Sequence, residues 1–489
     1  MERRIPRCMS TQHPDNVSPP PFTTRNVLQG EDEIQEAFHV FSYLGADEQM
    51  WDYEGKEVDH FVVRKLLANY QDFFQENLLG KDFFITYRVP NPRVEKDEGK
   101  WLLETLRSIP RSYDMALEFY GDRAIPPVIE VIFPMTTSSL ELERVYKYYT
   151  ELVSGEEGTR LINGDITIGE WVGRYKPQSI GVIPLFEDIP NIVNCDRIVE
   201  EFLNRNPEIS YQRVFLARSD PALNYGYTSA FLALEVALSR LDRLEKKLGK
   251  PLYPILGVGS SPFRGNFKPT NLDNCLASYP SVQTFTIQSS FKYDYPLENV
   301  KEAVLKIKAH TRAAAREVDE ERSEHLIARL SANYQRQVKH GLAKLANNLS
   351  KYIPPRRKRK LHIGLYGYSR GADGIFLPRA ITYCAALYSV GVPPEIVDLA
   401  RLDKEDWDYL LKDKSFLSDL QDALAFVNED TLLSLVPEAR VVLDHVDYQK
   451  DLQHEKLARM IYQAAKDEIS PRIITDMVTE AASLRGFLG

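Results

Sequence analysis

The sequence predicts an α/β protein built on a (β/α)8 TIM barrel, with additional helices after strand 1, between strands 7 and 8, and at the C-terminus. Three observations lead to this prediction. Apolar runs alternate with helix-like stretches, two consecutive runs end in an acidic residue, and no internal repeat or low-complexity linker divides the 489 residues. Alternating strands and helices are typical of a parallel sheet, and eight such units fit a closed barrel better than an open sheet.

Eight runs are predicted to be strands because they are apolar, rich in β-branched and aromatic residues, and bounded by turn residues. The intervening stretches, of which Leu140–Leu152 and Thr228–Leu248 are the clearest, carry apolar residues at the three- and four-residue spacing of helices. In chain order the predicted strands are Arg3–Met9, Asp82–Val89, Pro127–Met135, Ile180–Phe186, Val214–Ala217, Tyr253–Val258, Val282–Gln288 and His362–Tyr366.

Two helical insertions and a helical tail extend the minimal barrel. The insertions are Asp32–Leu79 after strand 1 and Asn299–Tyr352 between strands 7 and 8. After strand 8, Leu377–Val390 is predicted to be a helix, and Lys404–Leu488 to be mostly helical. We therefore expect a single domain over residues 1–489, with a barrel core of about 1–400 and a C-terminal helical segment at 401–489.

Composition narrows the class of protein. The 61 basic and 70 acidic residues give a net charge of −9, which argues against nucleic acid as a partner. No apolar run approaches the roughly 18 residues of a membrane span, and the N-terminus lacks the apolar segment of a secretory signal. The four cysteines are far apart and form no CxxC pair. These features indicate a reduced, cytoplasmic, soluble protein.

The basic run PPRRKRKLH, Pro354–His362, has the composition of a nucleic-acid patch. It precedes predicted strand 8, so we expect it on the face opposite the site, and the chain is acidic overall. A solvated loop is the favoured interpretation, and a contact to an anion or an effector is the alternative.

Two carboxylates follow consecutive predicted strands. The run SIGVIPLFED delivers Glu187, and RVFLARSDPALNYGY delivers Asp220. The C-terminal ends of parallel strands meet on one face of the barrel, where ligands bind. Magnesium and manganese take hard oxygen ligands, usually one or two carboxylates with water and substrate oxygens. The pair therefore predicts a divalent-metal site, although an acid at a strand end also serves as a helix N-cap.

Other strand ends carry cations and one histidine. Arginine binds phosphate and carboxylate through paired hydrogen bonds, and His13 is the histidine that follows a predicted strand end, where a general acid or base would lie. No catalytic triad, P-loop or HExxH motif is present. The pattern predicts a metal-dependent barrel enzyme acting on a small phosphorylated anion. The further strand-end candidates are Arg88, Arg218, Arg264, Gln288, Arg370 and Arg379.

Several motifs together resemble phosphoenolpyruvate carboxylase of the short, archaeal type. IPRCMSTQHPDN is specific to that group, and PLFED, RSDPALNYG, SPFRGNF and LPRAI match, in order, the active-site blocks of the longer enzymes of that name. The resemblance covers the whole chain. It implies carboxylation of phosphoenolpyruvate by bicarbonate to oxaloacetate and phosphate, a requirement for Mg²⁺ or Mn²⁺, a (β/α)8 barrel and a homotetramer.

By position, the resemblance implies roles for most of the candidates. Glu187 and Asp220 would be metal ligands, and His13 would deprotonate carboxyphosphate. The matched arginines would hold the phosphoryl group and stabilise the charge that develops on it, Arg88 and Arg370 in binding and Arg264 and Arg379 in catalysis. Arg218 and Gln288 are predicted to bind substrate from their positions at strand ends.

The chain also departs from the longer enzymes. Leu223 replaces a lysine and Pro262 a histidine, and part of the glycine-rich loop that contacts an aspartate inhibitor is absent. Two alternatives remain open from the residues themselves. One is another metal-dependent barrel enzyme of phosphoenolpyruvate or 2-oxoacid chemistry, such as a mutase, lyase or aldolase. The other is a non-catalytic barrel that binds a partner.

Overall fold

Eight parallel strands close into a single barrel in sequence order, which confirms the predicted fold class. The computed structural model describes residues 4–53, 59–96, 99–358, 375–399 and 401–489. The barrel closes between the last strand and the first, where Met9 pairs with Thr286. The strands are β1 Cys8–Ser10, β2 Glu48–Asp52, β3 Phe84–Arg88, β4 Glu130–Phe133, β5 Gly181–Phe186, β6 Gln212–Ala217, β7 Leu252–Gly257 and β8 Thr284–Ile287.

Helices follow the strands and surround the barrel, and many are short. Their bounds are α1 Glu31–His39, α2 Val62–Asn69, α3 Gln71–Glu76, α4 Gly99–Tyr120, α5 Ser139–Lys147, α6 Ile168–Val172, α7 Ile189–Val193, α8 Cys195–Arg205, α9 Ser219–Tyr225, α10 Tyr227–Leu248, α11 Leu272–Ser278, α12 Ser289–Tyr293, α13 Leu297–Ala309, α14 Glu320–Gln337, α15 Ala343–Ser350, α16 Ala380–Tyr388, α17 Lys404–Leu410, α18 Lys414–Leu424, α19 Glu429–Leu435, α20 Arg440–His445, α21 Leu452–Lys466 and α22 Pro471–Arg485.

The second strand was missed by the sequence prediction, which placed Glu48–Asp52 inside a helical insertion. All five residues of EQMWD are buried, although three of them are acids or amides. Polar side chains of β2 find buried partners at both ends of the barrel, so the strand lacks the apolar run by which strands are recognised. The predicted insertion Asp32–Leu79 therefore contains α1, the barrel strand β2 and, after that strand, α2 and α3.

This omission shifts the assignment of the last strand. The predicted eighth strand, His362–Tyr366, lies outside the described residues, and the barrel closes without it through β8 and β1. The prediction that this run closes the barrel is therefore wrong. The long helical region that contains α13, α14 and α15 is confirmed as helical, but it follows the last barrel strand and does not lie between strands 7 and 8.

The barrel interior is packed in layers, as parallel barrels require. Near the amino ends of the strands, Glu48, Glu130, Arg213 and Thr284 come from β2, β4, β6 and β8, and Arg213 forms hydrogen bonds with the other three. An apolar layer that includes Met50, Ile132 and Phe215 from the same alternate strands lies above it. The described side chains therefore fill the interior at the amino end, and the cavity of the barrel lies at the carboxyl end.

The C-terminal helices pack against the carboxyl end of the barrel. Tyr227 at the start of α10 donates its hydroxyl hydrogen to Asp419 in α18 over 2.7 Å, and Asn266 of the loop after β7 donates to the same carboxylate over 2.8 Å. The predicted helical tail is confirmed. Among the described residues, no helix has both the length and the apolar character needed to span a membrane. The division into a core of about 1–400 and a segment at 401–489 stays a prediction.

Candidate active site

A cavity of about 290 Å³ opens at the carboxyl ends of the strands. It is lined by residues at or just after the carboxyl ends of β1, β3, β5, β6, β7 and β8, together with the start of α16 and the segment that follows α15. Seven of the nine site residues predicted from sequence meet there: His13, Arg88, Glu187, Asp220, Arg264, Gln288 and Arg379.

The remaining two predicted residues differ from these seven. Arg218 follows β6 but is fully buried, donates from Nη1 to the Tyr227 carbonyl over 3.1 Å and lies 4.5 Å from the centre of that ring. It is not among the described residues that line the cavity, so its role in substrate binding stays a prediction that the geometry does not favour. Arg370 lies outside the described residues.

The two acids occupy adjacent positions in the barrel. Glu187 and Asp220 follow β5 and β6, which pair in parallel with Leu185 opposite Phe215. Glu187 is 8% exposed, and its Oε2 accepts the Met135 N–H over 2.8 Å. Asp220 lies half-buried in the first turn of α9.

Met135 shows how the backbone positions Glu187. Its φ of 50° lies in the left-handed region that side chains other than glycine rarely adopt. Such strain persists where surrounding structure imposes it, often at functional sites. Here the unusual turn after β4 aims an N–H at the Glu187 carboxylate.

The two carboxylates suit a hard divalent cation. No cluster of three or more His, Cys, Asp or Glu side chains that could hold a metal occurs within the described part of the chain. Two protein carboxylates are within the usual number for Mg²⁺, which commonly uses one or two of them and keeps several waters.

Arg88 is held in the cavity wall by a carboxylate that sequence reasoning missed. Its Nε and Nη2 donate to the two oxygens of Asp52 over 2.8 and 2.7 Å. Asp52 is fully buried at the end of β2, and Arg88 is 6% exposed. A bidentate pair of this kind fixes the plane of the guanidinium group. Asp52 was missed because β2 itself was missed.

Arg264 is held in place by hydrogen bonds and by a close glycine. Its Nη1 donates to Asp15 over 3.0 Å and to the Gly489 carbonyl over 2.8 Å, and Nη2 donates to Gln288. A Cβ on Gly259 would lie 2.8 Å from the guanidinium carbon, so any other residue there would displace the Arg264 side chain. Gln288 therefore reaches the cavity as a partner of Arg264, and Asp15 neutralises that arginine.

His13 is oriented by a neighbouring hydroxyl group. The distance between its Nδ1 and the Thr11 Oγ1 is 2.8 Å. The Thr11 carbonyl accepts a hydrogen bond from the Lys292 ammonium group over 3.0 Å, and Lys292 also donates to Glu36 over 2.9 Å. Burial lowers the pKa of Lys292 despite the attraction of Glu36.

Glu36 is the centre of this buried network. Burial opposes its ionisation, but the positive charges of Arg357 and Lys292 hold the pKa of Glu36 well below its ordinary value. Tyr293 adds a hydroxyl donor over 2.8 Å. The segment that carries His13 is thus attached to α1 and α12 through a fully buried charged cluster.

The basic run is not where the sequence predicted it. Pro354, Pro355, Arg356 and Arg357 line the cavity, so the prediction of a solvated loop on the opposite face is wrong for the part that the structure describes. Arg357 is 5% exposed and donates to Glu33 over 2.7 Å and to Glu36 over 2.6 Å. Composition alone could not reveal this position, because the carboxylates that bury Arg357 lie more than three hundred residues away in sequence.

Leu223 and the four cysteines are buried and bring no charge to the cavity. Leu223, which stands where the longer enzymes carry lysine, is fully buried in α9. All four cysteines of the chain are buried and free, and burial raises the pKa of Cys195 and of Cys384. A cysteine nucleophile in this site is therefore not supported.

Comparison with known proteins identifies the family. The family model described as phosphoenolpyruvate carboxylase matches residues 5–489. The phosphoenolpyruvate carboxylase of Methanospirillum hungatei is 47% identical over 489 residues, covering 99% of this chain and 100% of that protein. The enzymes of that name from Methanothermobacter thermautotrophicus and Pyrococcus furiosus are 48% and 49% identical, with the same 99% and 100% coverage. The chain therefore belongs to the phosphoenolpyruvate carboxylase family.

Proposed function

We propose that this chain catalyses the irreversible carboxylation of phosphoenolpyruvate by bicarbonate, which yields oxaloacetate and inorganic phosphate and requires Mg²⁺ or Mn²⁺. The observation that carries the proposal is the meeting of Glu187, Asp220, His13, Arg264 and Arg379 in one cavity at the carboxyl end of the barrel. Family membership supports the same substrates.

The proposed reaction has two stages. A bicarbonate oxygen attacks the phosphorus atom of phosphoenolpyruvate, and the bond between phosphorus and the enol oxygen breaks, giving carboxyphosphate and the enolate of pyruvate. Carboxyphosphate then loses its proton and separates into carbon dioxide and phosphate. Carbon 3 of the enolate attacks carbon dioxide, and the new carbon–carbon bond completes oxaloacetate.

Glu187 and Asp220 would hold the divalent cation. When bound, the cation supplies Lewis acidity that stabilises negative charge on the enolate oxygen. The guanidinium groups of Arg264 and Arg379 would stabilise charge on the phosphoryl group as it moves to bicarbonate. Arg264 is preorganised by its hydrogen bonds to Asp15 and Gln288 and is 1% exposed, and Arg379 directly precedes α16.

His13 would accept the proton of carboxyphosphate. In this proposal Nδ1–H donates to the Thr11 hydroxyl oxygen, and Nε2 is the basic atom. A neutral imidazole with one nitrogen fixed in this way is suited to general-base catalysis near neutral pH. Pro262 stands where the longer enzymes carry a second histidine, which leaves His13 as the histidine of the cavity lining.

The experiment is an assay of oxaloacetate formation from phosphoenolpyruvate, Mg²⁺ and bicarbonate, without any nucleotide. We expect oxaloacetate and phosphate in equal amounts, and loss of both when bicarbonate is omitted or the metal is chelated. Absence of oxaloacetate with either metal would contradict the proposal and favour a mutase, lyase or aldolase.

We further propose that the protein works as a cytoplasmic homotetramer. The family resemblance implies the tetramer, and four free, buried thiols suit a reducing compartment. Light scattering coupled to size-exclusion chromatography would test the assembly: a mass of four chains of 56.1 kDa is expected, and a monomer would contradict it.

A further inference from the structure

The segment that follows α15 forms one wall of the cavity and is firmly attached to the barrel. Arg357 is ion-paired with Glu33 and Glu36 of α1. The backbone of the same segment pairs with Leu28, whose N–H donates to the Arg356 carbonyl over 3.0 Å. Successive side chains of an extended segment point to opposite sides. Arg357 reaches towards α1, and Arg356 reaches towards the segment that follows His13.

The arginines of this cavity differ in how their charge is neutralised. Arg88 is paired with Asp52, Arg264 with Asp15, and Arg357 with Glu33 and Glu36. Each of these cations therefore has a buried carboxylate beside it. Its attraction for a second anion is reduced, because the partner charge acts at the same site in a medium of low dielectric constant.

Arg356 is the exception among these residues. Its Nε donates to the Asn16 carbonyl over 3.1 Å and its Nη2 to the Val17 carbonyl over 2.8 Å. Within the described ranges, no carboxylate lies at ion-pair distance from it. A guanidinium group has five N–H donors, and these two contacts leave donors available on the half-buried side chain.

Asp294 attracts the Arg356 charge but does not lie at ion-pair distance from it. Asp294 accepts hydrogen bonds from the N–H groups of Val17 and Ser18 over 2.7 to 3.0 Å. Burial raises the pKa of Asp294 to about 7, so it is only partly ionised near neutral pH. Burial also lowers the pKa of Arg356, which indicates a charge that water solvates poorly. Such a charge gains from an anionic ligand.

We propose that Arg356 is a substrate-binding residue that contacts an oxyanion of the reaction, either the phosphate or carboxylate group of phosphoenolpyruvate or bicarbonate. This inference rests on the proposed function. Glu187 and Asp220 bring negative charge that a divalent cation would offset, and Arg88 and Arg264 are already paired. Arg356 adds a positive charge without a paired carboxylate among the described residues to a cavity whose proposed substrates are anionic.

The test uses three variants of the full chain. Arg356→Gln removes the charge, and Arg356→Lys retains it. Lys358→Gln is the matched control, because Lys358 belongs to the same basic run, is exposed and does not line the cavity. Phosphoenolpyruvate binding is titrated calorimetrically with Mg²⁺ and without bicarbonate, so that no turnover occurs. The KM for bicarbonate is measured separately at saturating phosphoenolpyruvate.

We expect Arg356→Gln to raise either the dissociation constant for phosphoenolpyruvate or the KM for bicarbonate by about 10- to 100-fold. This is the range for loss of a charge-assisted hydrogen bond. Arg356→Lys should restore part of the loss, and Lys358→Gln should match the wild type. A raised dissociation constant for phosphoenolpyruvate would assign the contact to that substrate, and a raised KM for bicarbonate would assign it to bicarbonate.

Both constants within twofold of wild type in Arg356→Gln would overturn the inference. So would a lowered melting temperature together with a lower kcat that Arg356→Lys fails to rescue, because that result indicates a structural role. Failure of the proposed function is distinguishable: the wild type would then form no oxaloacetate. In that case the binding titration still decides on Arg356, and a wild type that does not bind phosphoenolpyruvate overturns both.

Discussion

Buried arginine–carboxylate pairs lie at both ends of the barrel, but only those at the carboxyl end border a cavity. At the amino end, Arg213 donates to Glu48 over 2.7 and 2.8 Å and to Glu130 over 3.0 Å, and none of the three side chains is more than 2% exposed. At the carboxyl end, Arg88 is paired with Asp52 and Arg264 with Asp15, yet both arginines line the cavity.

Arginine–carboxylate pairs therefore serve two different purposes at the two ends of the barrel. The amino-end layer is closed on all sides by strands, so its charges can act only on the barrel itself. The carboxyl-end pairs hold guanidinium groups in position where a ligand can reach them. Removing a charge should therefore change stability at the amino end and activity at the carboxyl end. The following predictions test that division, from the largest expected effect to the smallest.

The largest effect is expected for the two acids of the cavity. Glu187→Ala or Asp220→Ala should lower kcat by about a thousandfold or more, because loss of an electrostatic contact to the reacting groups costs several kcal/mol. Folding should persist, since Asp220 is half-buried and both acids line the cavity rather than the packed interior. The exposed Asp165→Ala is the control. Near-wild-type carboxylation in both variants would refute the metal assignment.

At the amino end, Arg213→Met should lower the free energy of unfolding by about 3–5 kcal/mol, the cost of leaving a buried carboxylate without its partner. Urea denaturation measures this change. The triple variant Arg213→Met, Glu48→Gln, Glu130→Gln should recover much of the lost stability, because these three residues then carry no charge in the amino-end layer. The single variant Arg213→Met should have the same kcat per folded molecule as the wild type. A selective loss of kcat without loss of stability would break the division between the two ends.

His13→Asn should lower kcat by about a hundredfold, the lower part of the range for general acid–base catalysis, and leave binding of phosphoenolpyruvate and metal unchanged. Single-turnover kinetics with a parallel binding titration would measure both quantities. Thr11→Val is the matched variant, because it removes the 2.8 Å contact between Thr11 Oγ1 and His13 Nδ1 but keeps the imidazole. Full carboxylation by His13→Asn would remove this residue from the mechanism.

The smallest effect is expected for Asp52→Asn, which should raise the KM for phosphoenolpyruvate by about tenfold with little change in kcat. The substitution keeps the shape of the side chain but replaces one accepting oxygen of the bidentate pair with an amide donor, so Arg88 loses its fixed orientation. Steady-state kinetics decides the matter. A KM unchanged from wild type, with normal stability, would show that Arg88 does not contact the substrate.

Much of the site could be predicted because strand ends in a parallel barrel share one face. Seven of the nine predicted residues meet at the cavity. Arg218 is the informative failure. It follows β6 as expected, but its guanidinium group turns away to the carbonyl and ring of Tyr227. The position of a residue at a strand end is local information, whereas the direction of its side chain depends on the helix packed beside it.

Local sequence determined the barrel class, seven of the eight strands, most helices and the acids and cations at the strand ends. Their signal is periodicity and apolar content, which neighbouring residues express by themselves. Tertiary structure alone decided that Glu48–Asp52 is a strand and that Arg357 belongs to the cavity wall. In both cases charged residues are buried because partners distant in sequence neutralise them: Arg213 lies 165 residues from Glu48, and Arg357 lies 321 residues from Glu36.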